Sequence, residues 1–300
     1  MCVREGYILD YISGIEVKAT PEEVDAVQVF SRILVDDYGY AKSQIRTRPQ
    51  WRVKSRPSDN EKSYPVDIAV FSDNKVDDDN LFIIVECKKK DRTDGRDQLE
   101  DYMRLSKAQL GVWFNGEEKL FIKKVECNGM VLFEEIPNIP ICGQRIEDIG
   151  NFRRGDLKPA VNLKSIFKTI RNYLAGNVVG ATRDEVLAQQ LINIIFCKIY
   201  DEKFKRPQDI VDFRAGIGED SEIIKARILA LFEKVKTRYR DVIDPNDEIT
   251  LDKKSIAYIV GELQLFCLKD CERDAIGDAF EVFIDHALKG GQGQFFTPRN

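Results

Sequence analysis

Three charged side chains interrupt two short apolar runs in this 300-residue chain. Asp67 lies near the start of Tyr64–Phe71, and Glu86 and Lys88 close the run Leu81–Lys88. Both runs are rich in β-branched residues and bounded by turn residues (Ser72–Lys75 and Asp77–Asn80), the pattern of adjacent strands. Strand side chains alternate faces, so Glu86 and Lys88 project from one side and Cys87 from the other. Two carboxylates and an ammonium then meet at one end of a strand pair. Carboxylates that close repel each other unless a cation lies between them, and hard oxygen ligands suit Mg2+ or Mn2+. A lysine beside such an ion can orient or deprotonate a water and steady charge on a phosphate. The plainer alternative is a set of exposed strand-end ion pairs of small energetic consequence. The joint pattern, Asp then Glu-x-Lys on neighbouring strands, favours the metal site, because an ordinary buried strand has no reason to end this way.

Asp67 followed by Glu86-Cys87-Lys88 resembles the PD-(D/E)xK nuclease signature, with Pro65-Val66-Asp67 a slightly expanded form of its Pro-Asp pair. Gln98-Leu99-Glu100-Asp101-Tyr102 resembles the QxxxY motif of one branch of that superfamily. The stretch from about Ala19 to Phe121 is similar to the N-terminal nuclease domain of type I restriction enzyme motor subunits. The resemblance implies that Asp67 and Glu86, with the Cys87 backbone carbonyl, hold Mg2+ (or Mn2+) and that Lys88 orients the attacking water. It also implies that Gln98 and Tyr102, on one face of the expected helix, position Lys88 or the DNA. Members of the family often bring an acidic residue of the first helix near the metal. Glu22 and Glu23 stand where such a residue would be, and where a helix dipole favours negative charge in any protein.

The elements that must hold these residues are those of an α/β fold, a PD-(D/E)xK core with a mixed central sheet flanked by helices. Thr20-Pro21-Glu22-Glu23 reads as a helix start, with the helix running to about Tyr38 and Val24, Val27, Phe30, Ile33 and Leu34 inward. Gly39 ends it. Ile45–Lys54 reads as extended and edge-like, since Pro49 argues against a central strand. A helix over Asp97–Lys107 follows the motif strands, then strands at Leu110–Phe114, Lys119–Glu126 and Val131–Ile136, with turns at Asn115-Gly116 and Asn128-Gly129.

The domain reading is a nuclease domain at 1–140, a linker at 141–162 marked by prolines and glycines, and an all-α helical bundle at 163–289. In the bundle, Leu163, Ile166, Phe167, Ile170 and Leu174 form one stripe, and Thr182–Glu185 is a capping box opening a helix to about Phe204. Glu219–Arg240, Lys253–Phe266 and Glu272–Leu288 read as further helices. None of them carries a catalytic set.

With 43% hydrophobic and 32% charged residues, the composition is that of an ordinary soluble protein. No run approaches a membrane span and no signal pattern opens the chain, so the expectation is a cytoplasmic protein with no membrane partner. A net charge of −5 argues against a protein that coats DNA generally. Local charge differs: Arg46–Arg56 holds five cations and no acid. Arg46, Arg48, Arg52 and Lys54, with Lys89 and Lys90, are therefore candidates for contact with DNA phosphates. A solvated basic loop is the alternative. Seven cysteines are scattered without a framework, and a single histidine, His286, leaves no zinc set. They read as buried thiols of a reducing compartment.

The tail supplies a second resemblance. Gly293-Gln294-Phe295-Phe296-Thr297-Pro298-Arg299 resembles the Gly-Gln-Phe-[Phe/Tyr]-Thr-Pro-Arg motif that opens the catalytic domain of type I-like N-6 adenine DNA methyltransferases. Asp274–Glu281 looks like the helix leading into it. The likeness implies that 163–289 corresponds to the helical N-terminal region of such an enzyme and that 290–300 begins its catalytic domain. It further implies that Phe295, Thr297 and Pro298 line an S-adenosylmethionine pocket in a longer protein. The combined expectation is the N-terminal fragment of a nuclease–methyltransferase fusion in restriction-modification, acting on double-stranded DNA with a specificity subunit or domain as partner. A non-cleaving DNA-binding or assembly module of an adenine methyltransferase is the rival reading. A scaffold for a methyltransferase whose own activity dominates is a third.

Overall fold

A computed structural model describes residues 3–54, 58–59, 64–177, 184–241, 243–271 and 277. The chain divides into two compact units, Met1–Ile149 and Gly150–Asn300.

The first unit opens with a hairpin of β1 (Tyr7–Leu9) and β2 (Glu16–Lys18). Thr20 caps the first helix as its sequence predicts: its Oγ1 accepts the Glu23 N–H at 3.2 Å. The helix then departs from expectation. Glu23–Val27 forms a π-helical turn before α1 (Gln28–Asp36) becomes regular. Val24, expected inward, is 41% exposed, because the buried stripe runs one residue earlier, through Glu23, Ala26, Val27, Phe30 and Leu34. Ile33 is partly buried, and Gly39 takes the positive φ expected of a helix end.

Six strands form the main sheet: β3 (Ile45–Arg46), β6 (Ile68–Phe71), β7 (Leu81–Cys87), β8 (Leu110–Phe114), β9 (Lys119–Cys127) and β10 (Met130–Glu135). Their order is β10-β9-β8-β7-β6-β3. Two short strands outside it, β4 (Arg52–Val53) and β5 (Tyr64–Pro65), pair with each other. All pairings in the main sheet are antiparallel except β7 with β8, which are parallel and joined by α2 (Arg96–Arg104). The sheet is thus mixed, as expected, and β3 forms one edge.

β7 lies at the centre, where Leu81, Ile83, Ile84 and Val85 are buried. Each such side chain contributes about 2 kcal/mol when removed from water. One sheet face packs on α2 through Ala69, Phe71, Ile84, Trp113, Ile122, Leu99, Tyr102 and Met103. Gly111 allows this close approach, because a Cβ there would run into the Met103 sulfur. On α1, Phe30 meets Phe114 of β8 with ring centroids 5.1 Å apart. Asn128-Gly129 turns with both φ positive (51° and 77°), the type I′ geometry of a two-residue hairpin. Asn115-Gly116 instead opens a four-residue loop, closed by the Asn115 N–H to the Glu118 carbonyl at 3.2 Å.

The stretch 141–162, expected as a linker, is divided between the two units, which meet in sequence at Ile149 and Gly150. Ile146 and Ile149 are buried, and the Cys142 N–H donates to the Tyr38 carbonyl at 2.8 Å. Phe152 and Leu157 are also buried. In the second unit the helices are α3 (Leu163–Asn177), α4 (Asp184–Phe204), α5 (Ser221–Arg238) and α6 (Lys253–Leu263). Asp220 caps α5 and Asp252 caps α6. Inside, Lys198 and Glu202 form an ion pair 3.0 Å long, each side chain 1% exposed. Thr182, the expected helix Glu272–Leu288 apart from Gly277, and the tail with Phe295, Thr297 and Pro298 lie outside the described residues. The cysteines correct a further expectation: Cys87, Cys197 and Cys267 are buried, but Cys127 and Cys142 are exposed.

Lys124, on β9, reaches the C-terminal end of α2 and donates to the Met103 and Ser106 carbonyls at 2.9 and 2.8 Å. A cation at this end of the helix opposes the helix dipole favourably. Lys124→Met is expected to cost about 1–2 kcal/mol. In a urea titration this appears as a lower midpoint at unchanged slope.

Candidate active site

β6 begins at Ile68, so the ladder between β6 and β7 ends at the Ile68–Val85 pair and leaves the Cys87 N–H without a strand partner on that side. Asp67, the residue before β6, supplies one: its Oδ2 accepts the Cys87 N–H at 2.8 Å. This bond brings the Asp67 carboxylate to the end of β7, beside Glu86. The Lys88 N–H donates to the Phe114 carbonyl at 2.9 Å, which continues the β7–β8 pairing one residue further. Strand alternation then holds as expected. Glu86 and Lys88 share a face and their side chains form an ion pair, whereas Cys87 points away and is fully buried.

The Lys88 ammonium also donates to Gln98 Oε1 at 3.3 Å, and the Gln98 amide donates to the Tyr102 hydroxyl at 2.6 Å. Glu86, Lys88, Gln98 and Tyr102 therefore form one hydrogen-bonded row from β7 onto the first turns of α2. Gly95, which the sequence reading passed over, makes the row possible. Its φ is +102°, and a Cβ there would run into Lys88 Cε. The loop before α2 is pinned beside it: Trp113 Nε1 donates to the Asp94 carbonyl at 2.8 Å and the Asn115 amide to the Arg92 carbonyl at 3.1 Å.

Negative charge dominates this strand end. Burial, with help from the nearby Glu22 charge, pushes Asp67 up to about 6 against the Cys87 N–H, Lys88 and Arg48. Burial and the Asp67 charge push Glu86 up to about 7. For Lys88, burial alone would lower the value, but the Glu86 hydrogen bond and the charges of Glu86, Asp67 and Glu22 raise it. Lys88 is consequently an ammonium at neutral pH, fit to donate and not to deprotonate water. Glu22 and Glu23 also separate here. The Glu22 charge is felt by Asp67, Glu86 and Lys88, whereas Glu23 is turned inward onto Arg48.

The chemistry of this donor set fits a hard divalent cation, because two crowded carboxyl groups at one strand end are oxygen donors whose ionised forms a cation would stabilise. Among the described residues, no group of three or more His, Cys, Asp or Glu side chains is assembled tightly enough to hold a metal by side chains alone. The basic residues are less uniform than their sequence suggests. Arg48 pairs with Glu23, Lys90 with Glu117 at 2.7 Å and Arg92 with Asp94. Arg46 and Lys54 are partly buried, Arg52 and Lys89 exposed, and Arg56 lies outside the described residues.

Residues 21–140 match the family model of the type I restriction enzyme R protein N terminus. The matched stretch lies in the first unit and contains Asp67, Glu86, Lys88, Gln98 and Tyr102. No curated protein matches the chain. Among the described residues, no helix is long and apolar enough to cross a membrane.

Two outcomes follow from the geometry. Gly95→Ala is expected to cost about 1–3 kcal/mol, through its positive φ and the collision with Lys88. Combined with Lys88→Ala it should cost less than the sum, because only the φ strain remains; urea unfolding of the four proteins measures this. The second concerns pH. Asp67 and Glu86 bind protons more tightly folded than unfolded, so their stabilising contribution is complete below their ordinary values of 3.8 and 4.5. It is lost as pH rises through about 6 and about 7. Without divalent cations the protein should lose stability across that window, and Asp67→Asn should lose less.

Proposed function

We propose that the first unit is a DNA endonuclease domain that hydrolyses phosphodiester bonds with Mg2+ (or Mn2+). The observation that carries this reading is the joining of Asp67, Glu86, Lys88, Gln98 and Tyr102 at one strand end, within the stretch similar to the restriction enzyme R protein. Asp67 and Glu86, with the Cys87 carbonyl, would hold the ion. When bound, it lowers the pKa of a coordinated water and offsets charge on the phosphate. Lys88 donates to the attacking water and to the phosphate oxygens as negative charge grows there. Gln98 fixes the Lys88 ammonium, and Tyr102, buried and held neutral, fixes Gln98. No covalent intermediate with the protein is needed. Arg46, Arg52, Lys54 and Lys89 would contact DNA phosphates.

The second unit, in this proposal, is the helical region of an N-6 adenine DNA methyltransferase fused to the nuclease in a cytoplasmic restriction-modification protein. A specificity subunit or domain selects the sequence, and S-adenosylmethionine binds near Phe295, Thr297 and Pro298 in the longer protein. The tail motif and the helical character of α3–α6 support it. Sequence beyond Asn300 that lacks Asn-Pro-Pro-[Phe/Tyr] would remove that support.

The test is nicking of supercoiled DNA with Mg2+, using both the 300-residue chain and a protein extended past it. Lys88→Ala should reduce cutting at least a hundredfold, and equal cutting by wild type and Lys88→Ala disposes of the mechanism. The non-cleaving module predicts DNA binding that weakens steeply with salt, and no Mg2+ uptake that depends on Asp67. Calorimetric titration of wild type and Asp67→Ala separates the two.

A further inference from the structure

Lysine and arginine crowd two helix ends of the second unit. One stretch reads Lys203-Phe204-Lys205-Arg206, the other Lys234-Val235-Lys236-Thr237-Arg238-Tyr239-Arg240. Together they hold seven cations and no acid, in a chain whose net charge is −5. The first stretch closes α4 and the second closes α5. The fold sets these two ends side by side, and the Lys203 ammonium donates to the Tyr239 hydroxyl at 3.3 Å. Phe204 sits among the charges: the Lys203 nitrogen is 5.6 Å from its ring centroid and the Arg238 guanidinium carbon 5.9 Å. Tyr200, one turn earlier on α4, brings its ring centroid within 4.6 Å of the same ring. Phe204 is nonetheless 49% exposed.

Only part of the charge is answered within the unit. Lys205 pairs with Asp212 at 3.1 Å and Lys236 with Glu233 at 2.7 Å. Lys203, Arg206, Lys234, Arg238 and Arg240 are exposed and form no ion pair among the described residues. A helix dipole accounts for cations in a last turn, but it gives no reason for a half-exposed phenyl ring between them. An acidic protein surface would answer the charge and leave the ring unused. A nucleic acid strand answers both, because cations track its phosphates while unpaired bases stack on aromatic rings. We propose that the joined ends of α4 and α5 bind single-stranded nucleic acid, with Lys203, Arg206, Arg238 and Arg240 on the phosphates and Phe204 under a base. A duplex keeps its bases stacked on each other, so the ring favours an unpaired strand. The site lies wholly in the second unit and does not depend on the metal-dependent reading of Asp67 and Glu86.

The experiment is a fluorescence anisotropy titration of the 300-residue chain with a labelled oligothymidylate, without divalent cations and at several salt concentrations. An oligonucleotide of about 12 nucleotides suits a site of this kind. Arg52→Gln and Lys89→Gln are present throughout, which removes two exposed cations of the first unit. Phe204→Leu is expected to weaken binding about tenfold at an unchanged salt slope, because it removes stacking and no charge. Arg238→Gln should also weaken binding, and should flatten the plot of log K against log salt by about 0.7. Irradiation of a bromodeoxyuridine-substituted oligonucleotide on the protein with native Phe204 and Arg238 should crosslink to peptides holding Phe204 or Tyr239. That measurement carries the test should a variant fail to fold. Undiminished binding in Phe204→Leu, or crosslinks confined to the first unit, overturns the proposal. So does a duplex of the same length bound as tightly as the single strand. Polyglutamate that competes as well as the oligonucleotide assigns the surface to an acidic protein and overturns it too. None of these outcomes touches the nuclease reading, whose test is cutting in Mg2+.

Discussion

The first unit is organised around unbalanced charge. Asp67 and Glu86 are brought to one strand end, partly or fully withdrawn from water, with Lys88 as their nearest cation. Burying like charges together is costly unless an opposite charge answers them, and a stability-minded fold would have placed apolar residues there. The surrounding architecture holds the arrangement in place regardless. The central strand β7 is anchored on both edges, the Cys87 N–H is tied to Asp67, and the Lys88 N–H is tied to β8. Strain of this sort, maintained by a well-packed scaffold, is what a charged ligand would relieve.

Much of this was readable before any coordinates. The two apolar runs separated by acidic turn residues gave adjacent strands, and period-two alternation put Glu86 and Lys88 on one side and Cys87 on the other. The four-residue spacing put Gln98 and Tyr102 in contact. What escaped reading depended on packing between distant segments. The π-turn has no local signature, since Val24 fits a regular amphipathic stripe as well as Val27 does. Gly95 carries no sequence signal of its role, because the need to leave room for Lys88 comes from another strand. Likewise, Arg48 and Lys90 looked like free cations until Glu23 and Glu117 were placed beside them. Charge runs in a sequence do not say which members are already spent on partners.

The second unit shows the same division between local and distant information. Asp220 and Asp252 mark helix starts that a sequence announces directly. The buried Lys198–Glu202 pair could not be anticipated as buried, because it is an ordinary surface spacing of i and i+4. Glu202 also receives the Leu268 and Lys269 N–H groups at 3.1 and 2.8 Å, which stitches α4 to the chain that follows α6. There the charges are balanced and their hydrogen bonds filled, which marks the pair as architecture.

The helix α2 is held at both ends by lysines that belong to different strands: Lys88 of the β7 end grips Gln98, and Lys124 of β9 grips the final carbonyls. It is therefore a strut, fixed in rotation and in length, spanning the crossover between the two parallel strands. A residue added to or removed from this segment would disengage one lysine. Variation in loop length should instead collect at the opposite end of the strand pair, in the exposed turn between β6 and β7, where nothing of the row from Glu86 to Tyr102 would feel it.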